Sequence, residues 1–271
     1  MGVELNEYFD TYIPLAINVS AQLRAAGGPE GVRWMCQSWI ISLYVDCPPG
    51  AGLHCPSAAA LGEFDEAVRD GAITWHAFPH NAELSTINAE TLLAGAELTH
   101  RLDTRYNLPQ KHVLSQRDVP GFPRGAVAAA VAANITALSE GMNGRIVPPL
   151  VAPAFRWRDE SADAEVLVLW HAFGYGHDPD GFSRRRLAEA GSKCLTHHPD
   201  DDDEDKPGRR LQQQHDGPFP QPSYMPSNCG PEYVVLPGLD EVLIYDWRGD
   251  NAGPPLTTDE VKKTWKIVQG W

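Results

Sequence analysis

The sequence lacks the long uncharged hydrophobic run that a membrane-spanning helix requires. No stretch of about 18 consecutive apolar residues occurs in its 271 residues. Residues 1–6 carry neither a basic flank nor an apolar core, so they do not predict a signal peptide. The sequence therefore predicts a globular, cytoplasmic protein without a membrane partner.

Positive charge is also in short supply. The chain has 22 Lys and Arg residues against 36 Asp and Glu residues, which gives a formal net charge of −14. Proteins that bind nucleic acid neutralise phosphates with Lys and Arg, so this charge balance argues against a nucleic-acid partner. An apolar content of 42% is instead typical of a globular chain with a sizeable core.

Cysteine is scarce and irregularly spaced. The five cysteines are an odd number without a C-x-x-C pair, so neither a disulfide framework nor a zinc knuckle is indicated. Cys47 and Cys55 flank a Pro-Pro-Gly loop and would be able to pair under oxidising conditions. The preferred interpretation is that the thiols are reduced in an intracellular setting.

Helical and strand-like patterns alternate along most of the chain. Helices are predicted for residues 5–26, 57–69, 85–106 and 123–134 and from residue 258, with Ser85 as an N-cap and Val127 and Val131 on a buried side. Strands are predicted for residues 32–37, 72–75, 111–114, 135–139 and 241–245, and a β-hairpin for 155–157 with 165–170. This alternation predicts an α/β fold with a largely parallel sheet, and the pattern favours a barrel-like arrangement of it.

The composition changes between residues 178 and 231. This segment contains a basic run at 183–186, an acidic run at 200–205 and three glutamines at 212–214. Because it offers too little apolar surface to offset the entropy of ordering, it is predicted to be a disordered acidic insert. Residues 1–177 and 232–271 are then predicted to form a single α/β domain.

The densest polar chemistry lies between residues 72 and 121, in a predicted strand-helix-strand unit. The C-terminal ends of neighbouring parallel strands open at the same edge of a sheet, where ligand sites form. The residues that we expect to meet at this edge are His76, His80, Asn81 and Glu83 after one strand and Gln116, Arg117 and Asp118 after the next.

A purely structural interpretation of the same residues stays open. His76 and His80 would then bridge only loop carbonyls. Asp118 would act as the cap of the helix that is predicted to start near Pro123.

Several motifs together resemble a known family. They are the segments 75–83 and 115–121, the segment 155–159 with 169–171 and 174–176, and the segment 247–255. In these motifs the chain resembles an uncharacterised family related to glycoside hydrolase family 38, the α-mannosidases. The resemblance covers most of the chain outside the predicted insert.

The resemblance implies a (β/α)7-like barrel with an appended β-hairpin, a zinc ion, an aspartate nucleophile and a carboxylic general acid. The first strand of the α-mannosidases ends in a His-x-Asp pair that supplies two zinc ligands, and this chain has no such strand before Leu5. A fold that lacks the first strand is therefore expected, with zinc bound weakly or not at all. If a metal is held, His76, His80 or His171 would be its ligands.

The function that follows is a carbohydrate-active hydrolase. Asp118, in the place of an Asp-Pro-Phe-Gly-like turn, would work with Glu83 or Asp250 as acid and base or as nucleophile. The residues predicted to bind the carbohydrate substrate are His76, His80, Asn81, Gln116, Arg117, His171, Trp247, Arg248 and Asn251.

The alternative function is a catalytically inactive or truncated relative that binds sugar without hydrolysis. Trp75, Trp157 and Trp247 would then stack on the sugar rings, and the amide side chains would donate hydrogen bonds. Metal content separates this alternative from a zinc-dependent hydrolase.

Overall fold

The computed structural model describes residues 2–143, 151–152, 154–171, 233–235, 242–244 and 253–269. The predicted acidic insert, residues 178–231, lies outside these ranges. So do four predicted site residues: Trp247, Arg248, Asp250 and Asn251. Within the described ranges, no helix is long and apolar enough to cross a membrane.

Helices and short strands alternate through the described part of the chain. The helices are α1 (Gly2–Glu7), a π-helical turn (Tyr8–Tyr12), α2 (Ile13–Ala26), α3 (Ser38–Val45), α4 (Ala58–Arg69), a 3-10 turn (Leu84–Thr86), α5 (Ala89–Arg105), α6 (Gly125–Ala132) and α7 (Thr258–Gln269). The strands are β1 (Trp34–Met35), β2 (Ile73–Thr74), β3 (Val113–Val119), β4 (Ala137–Met142), β5 (Ala154–Asp159), β6 (Ala164–His171), β7 (Tyr233–Val235) and β8 (Val242–Ile244).

The strands form a mixed α/β fold with parallel pairing at its centre. β1 pairs with β2 in parallel, and a second sheet has the order β3-β4-β6-β5, in which β3, β4 and β6 are parallel. β5 and β6 form the predicted antiparallel hairpin, so the hairpin on a parallel sheet is confirmed. In the ranges that the structure describes, these strands do not close into a barrel.

The two sheets meet between β2 and β3. Ala77 donates a backbone hydrogen bond of 2.8 Å to the carbonyl of Val113, just beyond the end of β2. The chain after β2 therefore continues alongside β3 in the same direction. This neighbourhood brings the polar loop 76–83 next to the C-terminal half of β3.

The predicted ends of two strands were wrong. β3 was expected to end at residue 114 and β4 at residue 139, but they extend to Val119 and Met142. Ser115 to Arg117 therefore pair with Ser139 to Gly141 within the sheet and do not form a loop. Polar side chains are tolerated in these strands because neighbouring backbone and side-chain groups form hydrogen bonds with them. The residue types alone do not reveal these hydrogen bonds.

The predicted start of the longest helix was also wrong. Ser85 lies in the 3-10 turn, and its hydroxyl donates a hydrogen bond to the Glu83 carboxylate. The N-cap of α5 is Asn88, whose side-chain oxygen accepts a 2.8 Å hydrogen bond from the Thr91 amide. Both residue types favour N-caps, and the extended backbone at Ile87 separates the turn from the helix.

One of the two valines predicted on the buried side of α6 is exposed. Val127 is fully buried, whereas Val131 is 39% exposed. The helix ends at Ala132, so Val131 lies in its last turn. The alanines of α6 take its place in the core, since Ala126, Ala129 and Ala130 are all buried.

Two hydrophobic clusters pack against the sheets. The first joins α2, α3 and α4 to β1 and β2, and the second joins α5 and α6 to β3, β4 and β6. In the second cluster Gly95 permits close packing, because a Cβ atom there would lie 2.6 Å from Cε2 of Phe78. Phe78 belongs to the loop after β2, so this contact helps to fix the loop against α5.

Cys47 and Cys55 form a disulfide, with a Cα–Cα distance of 5.6 Å. The preferred interpretation of reduced thiols was therefore wrong for this pair. Cys36 is a free thiol, buried in the first cluster, where burial raises its pKa to about 12. The cytoplasmic location stays a prediction, and it can no longer rest on reduced cysteines.

We expect reduction of this disulfide to lower the free energy of unfolding by about 2–3 kcal/mol, the loop-closure value for a short loop. The two cysteines are separated by 8 positions in the sequence. The measurement is thermal unfolding with and without dithiothreitol, with the Cys47→Ser/Cys55→Ser double variant as the control. A wild-type melting temperature that dithiothreitol leaves unchanged contradicts this prediction.

Candidate functional site

The loop after β2 is fastened to β3 by Asn81. Its side-chain amide donates to the carbonyl of Arg117 (2.8 Å), and its side-chain oxygen accepts from the amide of Arg117 (3.0 Å). The Asn81 side chain therefore makes the two backbone hydrogen bonds at Arg117 that a neighbouring strand would otherwise make. The expected meeting of this loop with the end of β3 is thus observed.

Gln116 makes the second connection between β3 and the loop. Its side chain is fully buried and accepts a 2.7 Å hydrogen bond from the amide of Ala82. The same side chain donates to the carbonyls of His80 (3.1 Å) and Ser115 (2.9 Å). Gln116 therefore positions the loop, and in this arrangement its polar atoms are occupied by backbone groups.

Arg117 places a buried positive charge between the ends of β3 and β4. Its guanidinium donates to the carbonyl (2.7 Å) and hydroxyl (2.8 Å) of Ser139 and to the carbonyl of Gln116 (2.7 Å). The residue is 9% exposed. The positive charge of Arg117 lowers the pKa of His76 and of Glu140.

The two histidines of the loop differ in burial. His76 is buried, and its pKa is lowered to about 4, chiefly by burial and also by the charges of Arg117 and His80, so its imidazole is neutral at pH 7. Its Nδ1 atom accepts a hydrogen bond from the Phe78 amide (3.2 Å), which leaves the proton on Nε2. His80 is exposed, and its Nδ1 lies 2.7 Å from the carbonyl of Asn81, as the structural interpretation expected for a loop-bridging histidine.

Asp118 is exposed at an irregularity of β3. Its φ is +58°, and the register with β4 shifts between Arg117 and Val119, so the bulge turns its side chain out of the ladder. Its carboxylate accepts a 2.8 Å hydrogen bond from Asn143. The helix-cap alternative is wrong, because the N-cap position of α6 is occupied by Arg124, where no side chain caps the helix.

Trp75 does not have the position that sugar stacking requires. It is 2% exposed, and its indole N–H donates to a carboxylate oxygen of Asp103 at 2.8 Å. The predicted stacking role of Trp75 is therefore contradicted, since both its ring and its polar atom are used inside the fold. Trp157 is half-buried, with ring contacts to Phe122 and Phe155.

Glu140 is an ionisable residue of this site that the sequence reasoning missed. It is 4% exposed on β4, in register with Gln116 on β3 and with Trp170 on β6. Neither of its carboxyl oxygens has a hydrogen-bond partner among the residues that the structure describes. Its pKa is raised to about 8, chiefly by burial, while Arg117 opposes this rise and Glu83 adds to it, so the carboxyl is protonated at pH 7.

One signal in the sequence would have identified Glu140. In a strand, residues two apart lie on the same face, so Glu140 shares a face with Leu138, which is buried in the second cluster. A carboxylate in phase with a buried leucine is unusual and marks a candidate functional group. The prediction that β4 ends at residue 139 concealed this pattern.

The described residues do not fit the zinc ion that the family resemblance implies. Among them, no group of three or more His, Cys, Asp or Glu side chains has the arrangement of a metal site. The only lone pair of the neutral His76 imidazole accepts from the Phe78 amide. His171 ends β6, and its side chain is outside the described part of the molecule.

The chain is similar to several solved structures. They include an alpha-mannosidase from Enterococcus faecalis V583, with a TM-score of 0.48 and 18% identity over 68% of this chain and 21% of that chain. A 4-alpha-glucanotransferase from Thermococcus litoralis has a TM-score of 0.44 and 11% identity over 63% of this chain and 25% of that chain. A glycosyl hydrolase family 38 protein from Enterococcus faecalis has a TM-score of 0.42 and 16% identity over 70% of this chain and 20% of that chain.

Two of these structures, an alpha-mannosidase and a glycosyl hydrolase family 38 protein, belong to the enzymes to which the uncharacterised family of the sequence resemblance is related. The chain spans about a fifth to a quarter of the length of each of them. No protein-family model and no curated protein matches the chain.

Proposed function

We propose that this protein is a carbohydrate-active hydrolase that cleaves glycosidic bonds. The proposal is carried by one observation: carboxyl, guanidinium, imidazole and amide groups converge where the chain leaves β2, β3 and β4. Ligand sites of parallel sheets form at this edge. The motif resemblance to the family related to glycoside hydrolase family 38 supplies the class of substrate.

The groups at this edge suit hydrolysis because their electrostatic environments differ. Glycoside hydrolysis uses one carboxyl that carries a proton and one carboxylate that is ionised. Asp118 is exposed at the end of β3, and Asn143 orients its carboxylate. We assign to Asp118 the role of base or nucleophile, with Glu83 and Asp250 as the other candidates for that role.

Two polar side chains near the carboxylates have a positioning role in this proposal. Asn81 and Gln116 fix the loop 80–82 on β3 through four hydrogen bonds to its backbone and to the backbone of Arg117. The exposed side chain of His80 lies on this fixed loop, beside the carboxylate-bearing end of β3. We propose that His80 contacts the sugar and that His76 and Arg117 set the electrostatic potential behind it.

We expect Asp118→Asn to reduce kcat/KM for glycosides by at least about 100-fold, since the variant loses the charge of a catalytic carboxylate. Its melting temperature should change little, because Asn keeps the shape and tolerates a positive φ almost as well as Asp. The measurements are turnover on a panel of aryl glycosides, which includes α-mannosides, and thermal unfolding. Asp163→Asn is a matched control, since Asp163 also has a positive φ, +48°, and lies in the β5–β6 turn.

Full turnover by Asp118→Asn removes Asp118 from the catalytic residues. Sugar binding by the wild-type protein without any turnover favours the alternative, a relative that binds sugar without hydrolysis. Isothermal titration with the sugars of the same panel distinguishes that case from a protein that does not interact with carbohydrate.

A further inference from the structure

The carboxyl of Glu140 is buried without a hydrogen bond in the part of the chain that the structure describes. An unsatisfied buried polar group costs about 1–3 kcal/mol, so native proteins rarely retain one without a reason. Glutamate is also a poor choice for packing, since leucine or methionine fills the same volume without this cost. The position therefore points to a chemical role.

The side chains of Gln116 and Arg117, on the neighbouring strand β3, form hydrogen bonds with groups other than Glu140. Gln116, its register neighbour on β3, uses its side-chain oxygen and nitrogen on the backbones of Ala82, His80 and Ser115. Arg117 directs guanidinium N–H groups to Ser139 and to the carbonyl of Gln116. The site thus holds Glu140 beside a positive charge while its carboxyl keeps the capacity to donate a hydrogen bond.

The charges that act on Glu140 come from β3 and from the loop after β2. Burial has the largest effect and favours the neutral acid, and the negative charge of Glu83 acts in the same direction. The positive charge of Arg117 opposes both and favours the carboxylate. The same arrangement stores a proton in the resting protein and stabilises the anion that forms when the proton leaves.

We propose that Glu140 is the general acid of this site and donates its proton to the glycosidic oxygen. This inference rests on the proposed function. The O–H bond of Glu140 breaks as the proton moves to the glycosidic oxygen, and the bond from that oxygen to the anomeric carbon breaks with its electron pair on the oxygen. The anomeric carbon takes a hydroxide equivalent from water, and the remaining proton of that water restores Glu140.

The inference specifies a class of substrate for which Glu140 matters. Leaving groups of high pKa, such as an alkyl alcohol or a second sugar, need protonation as the bond breaks, whereas a dinitrophenolate leaves without it. General acid catalysis contributes about 10²- to 10⁴-fold to a rate. Glu140 should therefore affect the cleavage of unactivated glycosides strongly and that of activated glycosides weakly.

The test compares Glu140→Gln with the wild type on phenyl and 2,4-dinitrophenyl glycosides of the sugar that the wild type cleaves. We expect kcat/KM for the phenyl glycoside to fall by about 10²- to 10⁴-fold and that for the dinitrophenyl glycoside by less than about 10-fold. Glu160→Gln, an exposed residue of the β5–β6 turn, is the matched control. Infrared difference spectra from pH 6 to 9.5 should show a protonated carboxyl band that titrates in the wild type and is missing in Glu140→Gln.

Each outcome decides the inference. An equal loss on both glycosides, no loss on either, or no titrating band above pH 6 overturns the role of Glu140 while the proposed function stands. Failure of the wild type to cleave any glycoside overturns the proposed function together with the inference. The folding control is the melting temperature of Glu140→Gln at pH 6, which should equal that of the wild type. If Glu140→Gln does not fold, Glu140→Asp replaces it. A ratio of the kcat/KM values for the phenyl and dinitrophenyl glycosides that is the same in Glu140→Asp and in the wild type then overturns the inference.

Discussion

Replacement of Asp103 with alanine is expected to lower the free energy of unfolding by about 3–5 kcal/mol, the cost of removing one partner from a buried charged network. Asp103 is 1% exposed near the end of α5. Its carboxylate accepts from the indole N–H of Trp75 at 2.8 Å and from the backbone amide of Lys111 at 3.1 Å. The ammonium of Lys111 lies 3.4 Å from the same carboxylate and 5.0 Å from the centre of the Trp75 ring.

These contacts make Asp103 the link between α5, the end of β2 and the segment that enters β3. Without the carboxylate, the indole N–H and the Lys111 amide lose their acceptor, and the Lys111 ammonium loses its counter-charge. The position of Trp75 determines where the polar loop 76–83 begins. We therefore expect Asp103→Ala to weaken the candidate site as well as the fold.

The measurement is urea unfolding of Asp103→Ala, with Asp103→Asn and Asp46→Ala beside it. Asp103→Asn keeps an acceptor for Trp75 and should lose less free energy than Asp103→Ala. Asp46 forms a 2.7 Å ion pair with Arg105 in which both side chains are substantially exposed, so its loss should cost at most about 1 kcal/mol. Equal losses for Asp46→Ala and Asp103→Ala would show that burial of the network does not matter.

The second large effect is a loss of stability at alkaline pH that originates at Glu140. Its pKa rises from 4.5 to about 8 on folding, so the folded protein binds its proton more tightly than the unfolded chain does. The stabilisation is complete below pH 4.5 and is lost progressively as the pH rises towards 8. Between pH 6.5 and pH 8 alone, the expected loss is about 2 kcal/mol, at about 1.4 kcal/mol for each pH unit.

His76 has the opposite dependence at acidic pH. Its pKa falls from 6.5 to about 4 on folding, so the unfolded chain binds the proton more tightly. Its contribution is complete above pH 6.5 and is lost as the pH falls through 4. The two residues offset each other between pH 4.5 and pH 6.5, and only Glu140 acts between pH 6.5 and pH 8.

Thermal unfolding of the wild type, Glu140→Gln and Glu160→Gln across this pH range measures the effect. We expect the melting temperature of the wild type to fall by roughly 4–8 °C from pH 6.5 to pH 8, at 2–4 °C for each kcal/mol. Glu140→Gln carries a neutral amide at every pH and should lack this decline, whereas Glu160→Gln should retain it. Parallel curves for all three proteins would contradict the protonated state of Glu140.

Most of the α/β pattern could be predicted from the sequence because it depends on local properties. The helix predicted for residues 57–69 begins with Ser57, a residue type that favours N-caps, and the Ser57 hydroxyl does accept a hydrogen bond from the Ala60 amide as the N-cap of α4. The β5–β6 hairpin was predicted with shorter strands than it has, and the start of α7 near residue 258 was predicted. Such features follow from periodicity and capping chemistry within a few residues, and no distant contact is needed to specify them.

The ends of β3 and β4 could not be predicted in this way. Ser115, Gln116 and Ser139 are polar, and their residue types favour a loop after each strand. They remain in the sheet because the side chains of Arg117 and Gln116 bind backbone groups of neighbouring segments, which are distant in sequence. The strength of these interactions depends on tertiary neighbours that no local pattern contains.

The sequence by itself determined that the loop 76–83 meets residues 116–118, since two parallel strands joined by a helical crossover open at the same edge of a sheet. Only the tertiary structure decided what each group does there. Gln116 positions a loop and Trp75 is buried, whereas Glu140 holds a proton. The physical reason is that burial and neighbouring charges set the protonation and the free hydrogen-bonding capacity of a group, and both arise only when distant segments pack together.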